Sequence, residues 1–384
     1  MDSSAGLPLF IALVVAVAID LAIGEPPSRI HPVAWFGSLV GHVDRRWSRP
    51  RAVGAVVAIG LPLGAAVAAG LVVVGTAEVV IAGVVAVGGT GLPVAAQAAA
   101  GRLLIAVVAG VLLATTVSLR MLLTVTSEVV ASTASDPAAA RESIRALVGR
   151  DTTDLSAAAL RSAAVESAAE NLADGFVAPV AGFVAGSIVG VVVVFVTHGP
   201  SIAVTTVGVF PLAGGVAGAV WVKAVNTLDS MLGYRSKPVG WASARLDDAV
   251  MYLPARLTAV CLAAAAGSGR TLFDARHWAR TPDSPNSGWP MATAAVAVGV
   301  RLEKPGQYVL NPHAELPTNA DAERAIGLVR RAGFVAIAVT ATVLLAIAVA
   351  ADWLTAQTVG SVALGVGFAT LPVAAFPLTG VSGR

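Results

Sequence analysis

Three carboxylates near the middle of the chain follow the spacing of an α-helix. Glu166, Glu170 and Asp174 lie four residues apart, so their side chains share one helical face. Like charges at this spacing repel one another, and a magnesium ion with phosphate ligands would relieve that repulsion. The alternative is an acidic face in contact with water. Gly175 follows directly and is expected to end the helix.

A second group of polar residues follows a long apolar run. Its members are Asn226, Asp229, Arg245, Asp247, Asp248 and Arg256. Asn226 and Asp229 lie three residues apart and share a helical face. The adjacent Asp247 and Asp248 point about 100° apart on a helix and cooperate only in part. Carboxylates and amides with arginines close by suit a metal-bound phosphoryl group. The alternative is an ion-pair network that holds the loops together.

Polar residues also concentrate at 284–290, whose sequence is Ser-Pro-Asn-Ser-Gly-Trp-Pro. Two prolines and a glycine predict a rigid exposed loop. Such a loop can present backbone N–H groups to an anion, alongside Asn286 and Ser287. Taken alone, the segment is only a turn. Lys304 and Tyr308 follow it and are further candidates for the same site.

Near the N-terminus, Asp20, Glu25 and His31 follow the first apolar run. Ionisable groups at a membrane surface are often functional, so His31 is a candidate catalytic residue. A capping role for Asp20 and a structural role for His31 are the alternatives.

The elements that position these residues must be membrane helices. The chain of 384 residues is 56% hydrophobic and only 12% charged, with a mean hydropathy of +0.81, whereas a soluble domain carries about a quarter charged residues. Runs long enough to span a bilayer cover 7–24, 53–75, 77–100, 103–125, 176–197, 201–222, 333–351 and 356–378. We therefore predict an all-α polytopic bundle in which residues 1–384 form one integral membrane domain.

Two weaker apolar stretches, 247–267 and 290–300, are expected to be re-entrant, interfacial or packed against the bundle, because the first contains charges and the second is short. The net charge of +2 is too small to suggest nucleic acid as a partner. The single cysteine, Cys261, excludes an internal disulfide framework.

The basic residues predict which ends of the helices face the cytoplasm. They concentrate in the connections 25–52, 223–246 and 268–332, which the positive-inside rule places in the cytoplasm of a cell-membrane protein. The polar segments, about 20–50, 126–175, 223–256 and 268–332, then lie on that face. Three apolar runs separate 25–52 from 126–175. Two connections on the same side of a membrane are separated by an even number of crossings, so one of the three runs is not a simple span if both connections are cytoplasmic. We expect 76–100 not to be a simple span.

Taken in order, the motifs resemble those of the cobinamide-phosphate synthase family of cobalamin biosynthesis, the CbiB/CobD membrane proteins. The resemblance covers about residues 15–315. It rests on the segments Asp20 to Val33, Glu166 to Gly175, Asn226 to Met231, Ala244 to Arg256, Ser284 to Met291 and Leu302 to Tyr308. Glu25-Pro26 stands where the family is expected to have Asp-Pro.

The resemblance implies an ATP-dependent amide ligase that joins adenosylcobyric acid, a corrinoid, to aminopropanol or its O-phosphate, giving adenosylcobinamide or its phosphate. It implies ATP and Mg²⁺ as cofactors. The expected partners besides the substrates are membrane lipid and other membrane-associated enzymes of cobalamin synthesis.

On this reading the candidate residues take four roles. The magnesium ligands are Glu166, Glu170, Asp174 and Asp229, with Asn226 beside them on the nucleotide phosphate. The residues that neutralise phosphate or the substrate carboxylate are Arg245, Arg256 and Lys304. The acceptor of the amine proton is Asp247 or Asp248, with His31 as a weaker candidate. The residues that shape the substrate pocket are Asn286, Ser287 and Tyr308.

Two other functions fit parts of the pattern. Polytopic transferases that act on prenyl diphosphates bind magnesium through Asn- and Asp-rich helix ends, and Asn226-x-x-Asp229 resembles such a motif. These enzymes usually carry two comparable motifs in related halves, and this sequence has no such repeat. A non-enzymatic sensor similar to AmpE, from a related membrane family, is the other alternative, although a sensor does not need carboxylates, amides and arginines on several segments.

Overall fold

The computed structural model describes residues 7–86, 93–144, 152–198 and 204–369. These residues form fourteen α-helices and one antiparallel hairpin. The helices are α1 (Leu7–Ala22), α2 (Pro32–Gly41), α3 (Pro50–Ala86), α4 (Val94–Ala114), α5 (Leu119–Ser135), α6 (Pro137–Ser143), α7 (Ala157–Leu172), α8 (Ala178–His198), α9 (Val204–Leu232), α10 (Trp241–Val250), α11 (Tyr252–Ala265), α12 (Gly269–Ala275), α13 (Gly288–Val298) and α14 (Asn319–Ala369). The strands are β1 (Leu302–Lys304) and β2 (Tyr308–Leu310), and Glu303 pairs with Val309.

Five helical segments among the described residues are long and apolar enough to cross a bilayer, which confirms the predicted all-α polytopic class. They are Pro50–Val84, Val94–Ser135, Ala157–Thr197, Gly208–Leu232 and Asn319–Ala351. Helix α1 is a shorter apolar helix of 16 residues. Helices α10 and α11, which cover the doubtful stretch 247–267, meet at an angle of 45°. Helix α13 has 11 residues, too few to span a bilayer.

The described residues of the three apolar runs between 53 and 125 lie mainly in α3, α4 and the start of α5. Helix α3 runs without interruption from Pro50 to Ala86, through the first run and into the second. Helix α4 then begins at Val94. Region 76–100 is therefore not a span of its own, as the distribution of basic residues predicted. Two segments of this region, Pro50–Val84 and Val94–Ser135, are long and apolar enough to cross a bilayer, and an even number is what the charge distribution predicts.

Two predicted helix ends are wrong because the helices extend beyond the apolar runs from which their ends were predicted. Helix α9 ends at Leu232, so the start of the expected loop 223–246 is helical. Helix α14 covers 333–351 and continues as one helix to Ala369, so the expected break before 356–378 does not occur. The rest of the last run lies outside the described residues.

The prediction that Gly175 ends a helix is also wrong. A single π-helical turn, Ala173–Val177, joins α7 directly to α8. The carbonyl of Gly175 accepts a hydrogen bond of 2.9 Å from the backbone N–H of Ser118. A Cβ at position 175 would lie only 2.6 Å from the Ser118 hydroxyl oxygen. Glycine is thus needed for the close approach of the start of α5. Such π-turns are frequent at functional sites.

Glycines bring α8 and α9 into backbone contact. Gly182, Gly186 and Gly190 recur every four residues on α8 and face Gly214 and Gly218 of α9. A Cβ on Gly186 would lie 2.0 Å from the carbonyl oxygen of Gly214. Small residues at this spacing allow membrane helices to pack closely without a hydrophobic driving force. The contact fixes the π-turn at the start of α8 relative to the C-terminal half of α9.

A separate core supports the short helices at one end of the bundle. It contains buried side chains from α5, α7, α13, the hairpin and the first turns of α14. Ser156 caps α7 by accepting a hydrogen bond from the N–H of Ala159. This core of alanine, valine, leucine, isoleucine and one methionine, Met291, anchors α7 and the loop before α13 around the polar residues described next.

Candidate active site

A polar cavity of about 550 Å³ lies where the π-turn, the end of α9, the junction of α10 with α11 and the loop before α13 meet. Its polar lining residues are Glu170, Asn171, Asp174, Lys223, Asn226, Thr227, Asp229, Ser230, Asp247, Ser284, Asn286 and Ser287. Seven of the sequence-predicted residues are among them, and they come from four segments. The volume is in the range of small-molecule sites.

Carboxylates dominate one side of this cavity. Asp229 and Asp247 each keep one buried side-chain oxygen, Oδ1, that has no hydrogen-bond partner among the described residues. The amide of Asn226 reaches both Asp174 and Asp247. Gly233 leaves room for Asp229, because a Cβ there would lie 1.9 Å from the Asp229 Oδ1 atom. Buried polar atoms without partners are costly, so this wall is suited to a cationic ligand.

Asp247 lies on α10, outside the five long apolar segments, and its protonation is shifted. Burial away from water, with the charges of Asp174 and Asp229 nearby, raises the pKa of Asp247 to about 8. Both effects disfavour the charged carboxylate. Asp247 can therefore exchange a proton near neutral pH.

Lys223 is the functional candidate that the sequence analysis missed. It is the only cation lining the cavity among the described residues, and its charge interacts with the carboxylates of Asp174 and Glu25. The sequence pattern places Lys223 only among the basic residues of the connection 223–246. The available signal was its spacing: Lys223, Asn226 and Ser230 recur at i, i+3 and i+7 and so share one face of α9.

The loop before α13 forms the opposite wall. The sequence predicted an exposed loop at 284–290, but most of this segment is at least partly shielded from solvent. Asn286 is only 5% exposed, and its side-chain amide donates a hydrogen bond of 2.8 Å to the carbonyl of Asp248. Arg256 donates to the Asn286 Oδ1 atom at 2.8 Å and to the carbonyl of Pro285 at 3.2 Å. The guanidinium also stacks over the ring of Tyr252 at 3.6 Å. Arg256 therefore holds the wall from behind.

Glu166, Tyr308 and Lys304 lie outside the lining of the cavity. The buried Glu166 carboxylate accepts hydrogen bonds from the hydroxyls of Ser162 at 2.9 Å and Tyr308 at 2.8 Å. This joins α7 to the hairpin, where Lys304 pairs with Tyr308 in the strand register. The structure thus separates Glu166 from Glu170 and Asp174, with which it shares helical spacing.

His31, Arg245 and Asp248 border the cavity without lining it. His31 caps α2, where its Nδ1 atom accepts a hydrogen bond from the N–H of Val33, and Val33 does line the cavity. Burial lowers the pKa of His31, while the charge of Glu25 acts in the opposite direction. Arg245 is exposed, with its guanidinium 3.9 Å from the Asp248 carboxylate.

A magnesium ion coordinated mainly by protein does not fit this arrangement. No group of three or more His, Cys, Asp or Glu side chains in the described ranges is placed to hold a metal. Magnesium, however, usually takes one or two carboxylates and completes its shell with water and phosphate oxygens. The unpaired oxygen of Asp229 fits that second mode.

Comparison with known proteins agrees with the motifs. The model of the family described as CobD/Cbib protein matches residues 13–332. The chain is 32% identical to the probable cobalamin biosynthesis protein CobD of Methanothrix thermoacetophila, over 88% of this chain and 97% of that protein. It is 34% identical to the cobalamin biosynthesis protein CobD of Rhodobacter capsulatus, over 83% and 92%. No solved structure matches. The chain therefore belongs to the CobD/CbiB family of cobalamin biosynthesis proteins.

Proposed function

We propose that this protein is an ATP-dependent amide ligase that joins adenosylcobyric acid to aminopropanol or its O-phosphate. The observation that carries the proposal is the cavity itself, where unpaired carboxylate oxygens face Lys223, the one cation that lines it in the part of the chain that the structure describes. Such a combination suits a triphosphate with its magnesium beside an anionic acyl substrate.

The chemistry explains why both charges are needed. A carboxylate is a poor acyl donor because its oxygen is a bad leaving group. Its attack on the terminal phosphorus of ATP releases ADP and forms an acyl phosphate. The amine then attacks the acyl carbon, inorganic phosphate leaves, and the amine loses a proton. Phosphoryl transfer of this kind depends mainly on positioning and electrostatic stabilisation.

The carboxylates divide between metal binding and proton transfer. One or two of the carboxylates of Glu170, Asp174 and Asp229 would hold magnesium, with water and phosphate oxygens completing its shell, and the metal would neutralise phosphate charge. Asn226 would orient these side chains, since it reaches Asp174 and Asp247. Asp247 would accept the amine proton, because a base works best with a pKa near the working pH and its pKa is about 8.

The remaining candidates act around this centre. Lys223 would neutralise the substrate carboxylate or the transferred phosphate, the role first given to Arg256. Asn286 and Ser287 would shape the substrate pocket. Arg245, Asp248 and His31 border the cavity, and their roles stay predictions. Lys304 and Tyr308 do not line the cavity, which favours a role in stabilising the hairpin.

The proposed location is the cell membrane, with the cavity at the cytoplasmic face. The connections 25–52, 223–246 and 268–332, in which arginines and lysines concentrate, all contribute residues to the cavity lining, and the positive-inside rule predicts that such connections are cytoplasmic. ATP and the corrinoid would then enter from the cytoplasm. Other membrane-associated enzymes of the pathway would be in reach for transfer of substrate and product.

The two alternatives are less well supported. A transferase acting on a diphosphate lipid would need a second acidic motif comparable to the first. The carboxylates of the cavity form one group, and the sequence has no repeat that would supply another. A sensor similar to AmpE would not need buried carboxylates without partners. The relatives matched over most of the chain are named cobalamin biosynthesis proteins.

The test is complementation of a strain that cannot convert cobyric acid to cobinamide, with mass spectrometry of the corrinoids. We expect the wild-type chain to restore cobinamide or its phosphate. Incubation of membranes with ATP and either form of aminopropanol then identifies the amine. Lys223→Met should abolish product, whereas Lys304→Met should keep it. Failure of a well-expressed, inserted wild-type chain to form either product would overturn the proposal.

A further inference from the structure

The segment between α2 and the first turn of α3 carries four exposed arginines. Arg45, Arg46, Arg49 and Arg51 are all exposed, and none forms an ion pair with a carboxylate of the described residues. The one acidic residue among them, Asp44, is held by the Lys237 ammonium at 2.6 Å. The segment therefore presents four uncompensated positive charges.

Helix α2, just before these arginines, exposes apolar side chains. Trp35 and Leu39 lie four residues apart on one face and are 58% and 51% exposed. On the other side Val40 is buried with Leu228 and Leu232 of α9. The Trp35 indole N–H donates to the carbonyl of Arg29 at 2.9 Å, so it needs no partner from water. An apolar face with basic residues alongside is typical of a helix that lies in the membrane interface.

The position of α2 matches that interpretation. It connects the end of the apolar helix α1 with Pro50, the first residue of the long apolar helix α3. The Arg45 guanidinium stacks 4.1 Å above the Trp47 ring, and tryptophan is enriched at the level of the lipid head groups. The exposed arginines lie beside the start of the segment Pro50–Val84, which is long and apolar enough to cross a bilayer, and the head-group phosphates are expected at that level.

We propose that residues 30–51, the interface segment, bind the head groups of anionic phospholipids. The charge complementarity is direct, since four unpaired arginines meet a negatively charged leaflet and each adds to the attraction. Trp35 and Leu39 would insert among the acyl chains beneath the head groups. Val33 of the same helix lines the polar cavity, so bound lipid would steady one cavity wall. The binding itself does not depend on the proposed ligase activity.

The test uses the full chain in nanodiscs made from equal parts of phosphatidylglycerol and phosphatidylcholine. The lipids retained after gentle extraction are counted by native mass spectrometry. We expect the wild-type protein to retain phosphatidylglycerol preferentially. The double variant Arg46→Gln/Arg49→Gln should reduce that preference by roughly tenfold or more. Arg46→Lys/Arg49→Lys keeps both charges and should retain most of it.

A matched control removes two charges away from the interface segment. Lys304→Gln/Arg324→Gln changes the hairpin and the first turns of α14 and should leave lipid retention unchanged. Equal retention of both lipids by the wild type would overturn the proposal, and so would an unaltered preference in the Gln double variant. The proposal would also be overturned if the wild type showed no lipid preference but co-purified with an acidic protein that the Gln double variant lost. The segment would then bind a protein partner.

Discussion

The guanidinium of Arg256 donates a 2.8 Å hydrogen bond to the side-chain oxygen of Asn286. The same group binds the carbonyls of Tyr252 and Pro285. Each of these acceptors belongs to the protein, so the arginine that the motifs assigned to phosphate holds a cavity wall in place. The distinction between binding and positioning leads to the first prediction.

Replacing Arg256 should weaken substrate binding more than it lowers stability. Arg256→Lys keeps the charge but cannot reach three acceptors at once, since a lysine presents a point charge and not a planar fork. We expect kcat/KM to fall by roughly tenfold or more, mainly through KM, because misplacing a binding group weakens orientation. Steady-state kinetics with purified protein measure the change.

Arg276 provides the matched control for this prediction. Its guanidinium also stacks over an aromatic ring, that of Phe273 at 3.5 Å, but it does not line or support the cavity. Arg276→Lys should leave kcat/KM within about twofold of the wild type. A fall of similar size in both variants would contradict a positioning role specific to Arg256.

Glu170 and Glu166 should behave differently although they lie four residues apart. Glu170→Gln changes the cavity lining and should lower activity at limiting Mg²⁺ by roughly a hundredfold, with little change in melting temperature. Glu166→Gln weakens the bonds to Ser162 and Tyr308 and should cost about 1–3 kcal/mol of folding free energy. Activity titrations with Mg²⁺ and thermal unfolding in detergent separate the two effects.

The outcome for this pair tests the proposed metal site directly. Asp174→Asn and Asp229→Asn should share the magnesium phenotype of Glu170→Gln. If correctly inserted Glu170→Gln and Asp174→Asn proteins kept full corrinoid amidation, the assignment of these carboxylates to magnesium would be wrong.

The stability of the protein without ligands should depend on the ionisation of Asp247. Its pKa is about 8 in the folded chain, against 3.8 for an unperturbed aspartate. Between these values the folded state holds more protons than the unfolded state, so this group makes the free energy of unfolding fall as pH rises from about 4 to 8. Asp247→Asn cannot ionise and should remove that contribution.

The measurement is the melting temperature in detergent at several pH values. We expect the melting temperature of Asp247→Asn to increase relative to that of the wild type as the pH rises from 5 to 8. Asp283→Asn, at a side chain that is 81% exposed, should show no such trend. A constant difference across the range would show that Asp247 ionises normally.

The glycine contact between α8 and α9 should be sensitive to a single methyl group. Gly186→Ala places a Cβ 2.0 Å from the carbonyl oxygen of Gly214, so the helices must separate. We expect a loss of about 1–3 kcal/mol, typical of overpacking, together with lower activity, because Asp174 and Lys223 lie on either side of this contact. Thermal unfolding and product formation report the two changes.

Gly75→Ala is the matched control, since a Cβ there meets no atom within 4 Å. In a helix this substitution should be neutral or stabilising, because alanine has the higher helix propensity. Equal destabilisation by both substitutions would mean that the α8–α9 contact has no special role.

The sequence alone determined the class of this protein and named seven of the twelve polar residues that line the candidate site. Scarce charge and long apolar runs require a bilayer, because water cannot solvate such a surface, and local spacing put Asn226 and Asp229 on one face. Even the odd count of apolar runs indicated that 76–100 is not a span. These features depend on composition and on contacts near in sequence.

Only the tertiary structure decided which polar residues meet. Spacing grouped Glu166 with Glu170 and Asp174, but Glu166 is bound by Ser162 and Tyr308, and Tyr308 lies far along the chain. Lys223 joined the cavity because glycine packing sets α9 against α8 and turns its polar face inward. Spacing puts Lys223 on the same face as Asn226 and Ser230, but the contacts that bring this face to Asp174 and Asp247, and those that turn Arg256 toward Asn286, join segments distant in sequence and leave no periodic signal.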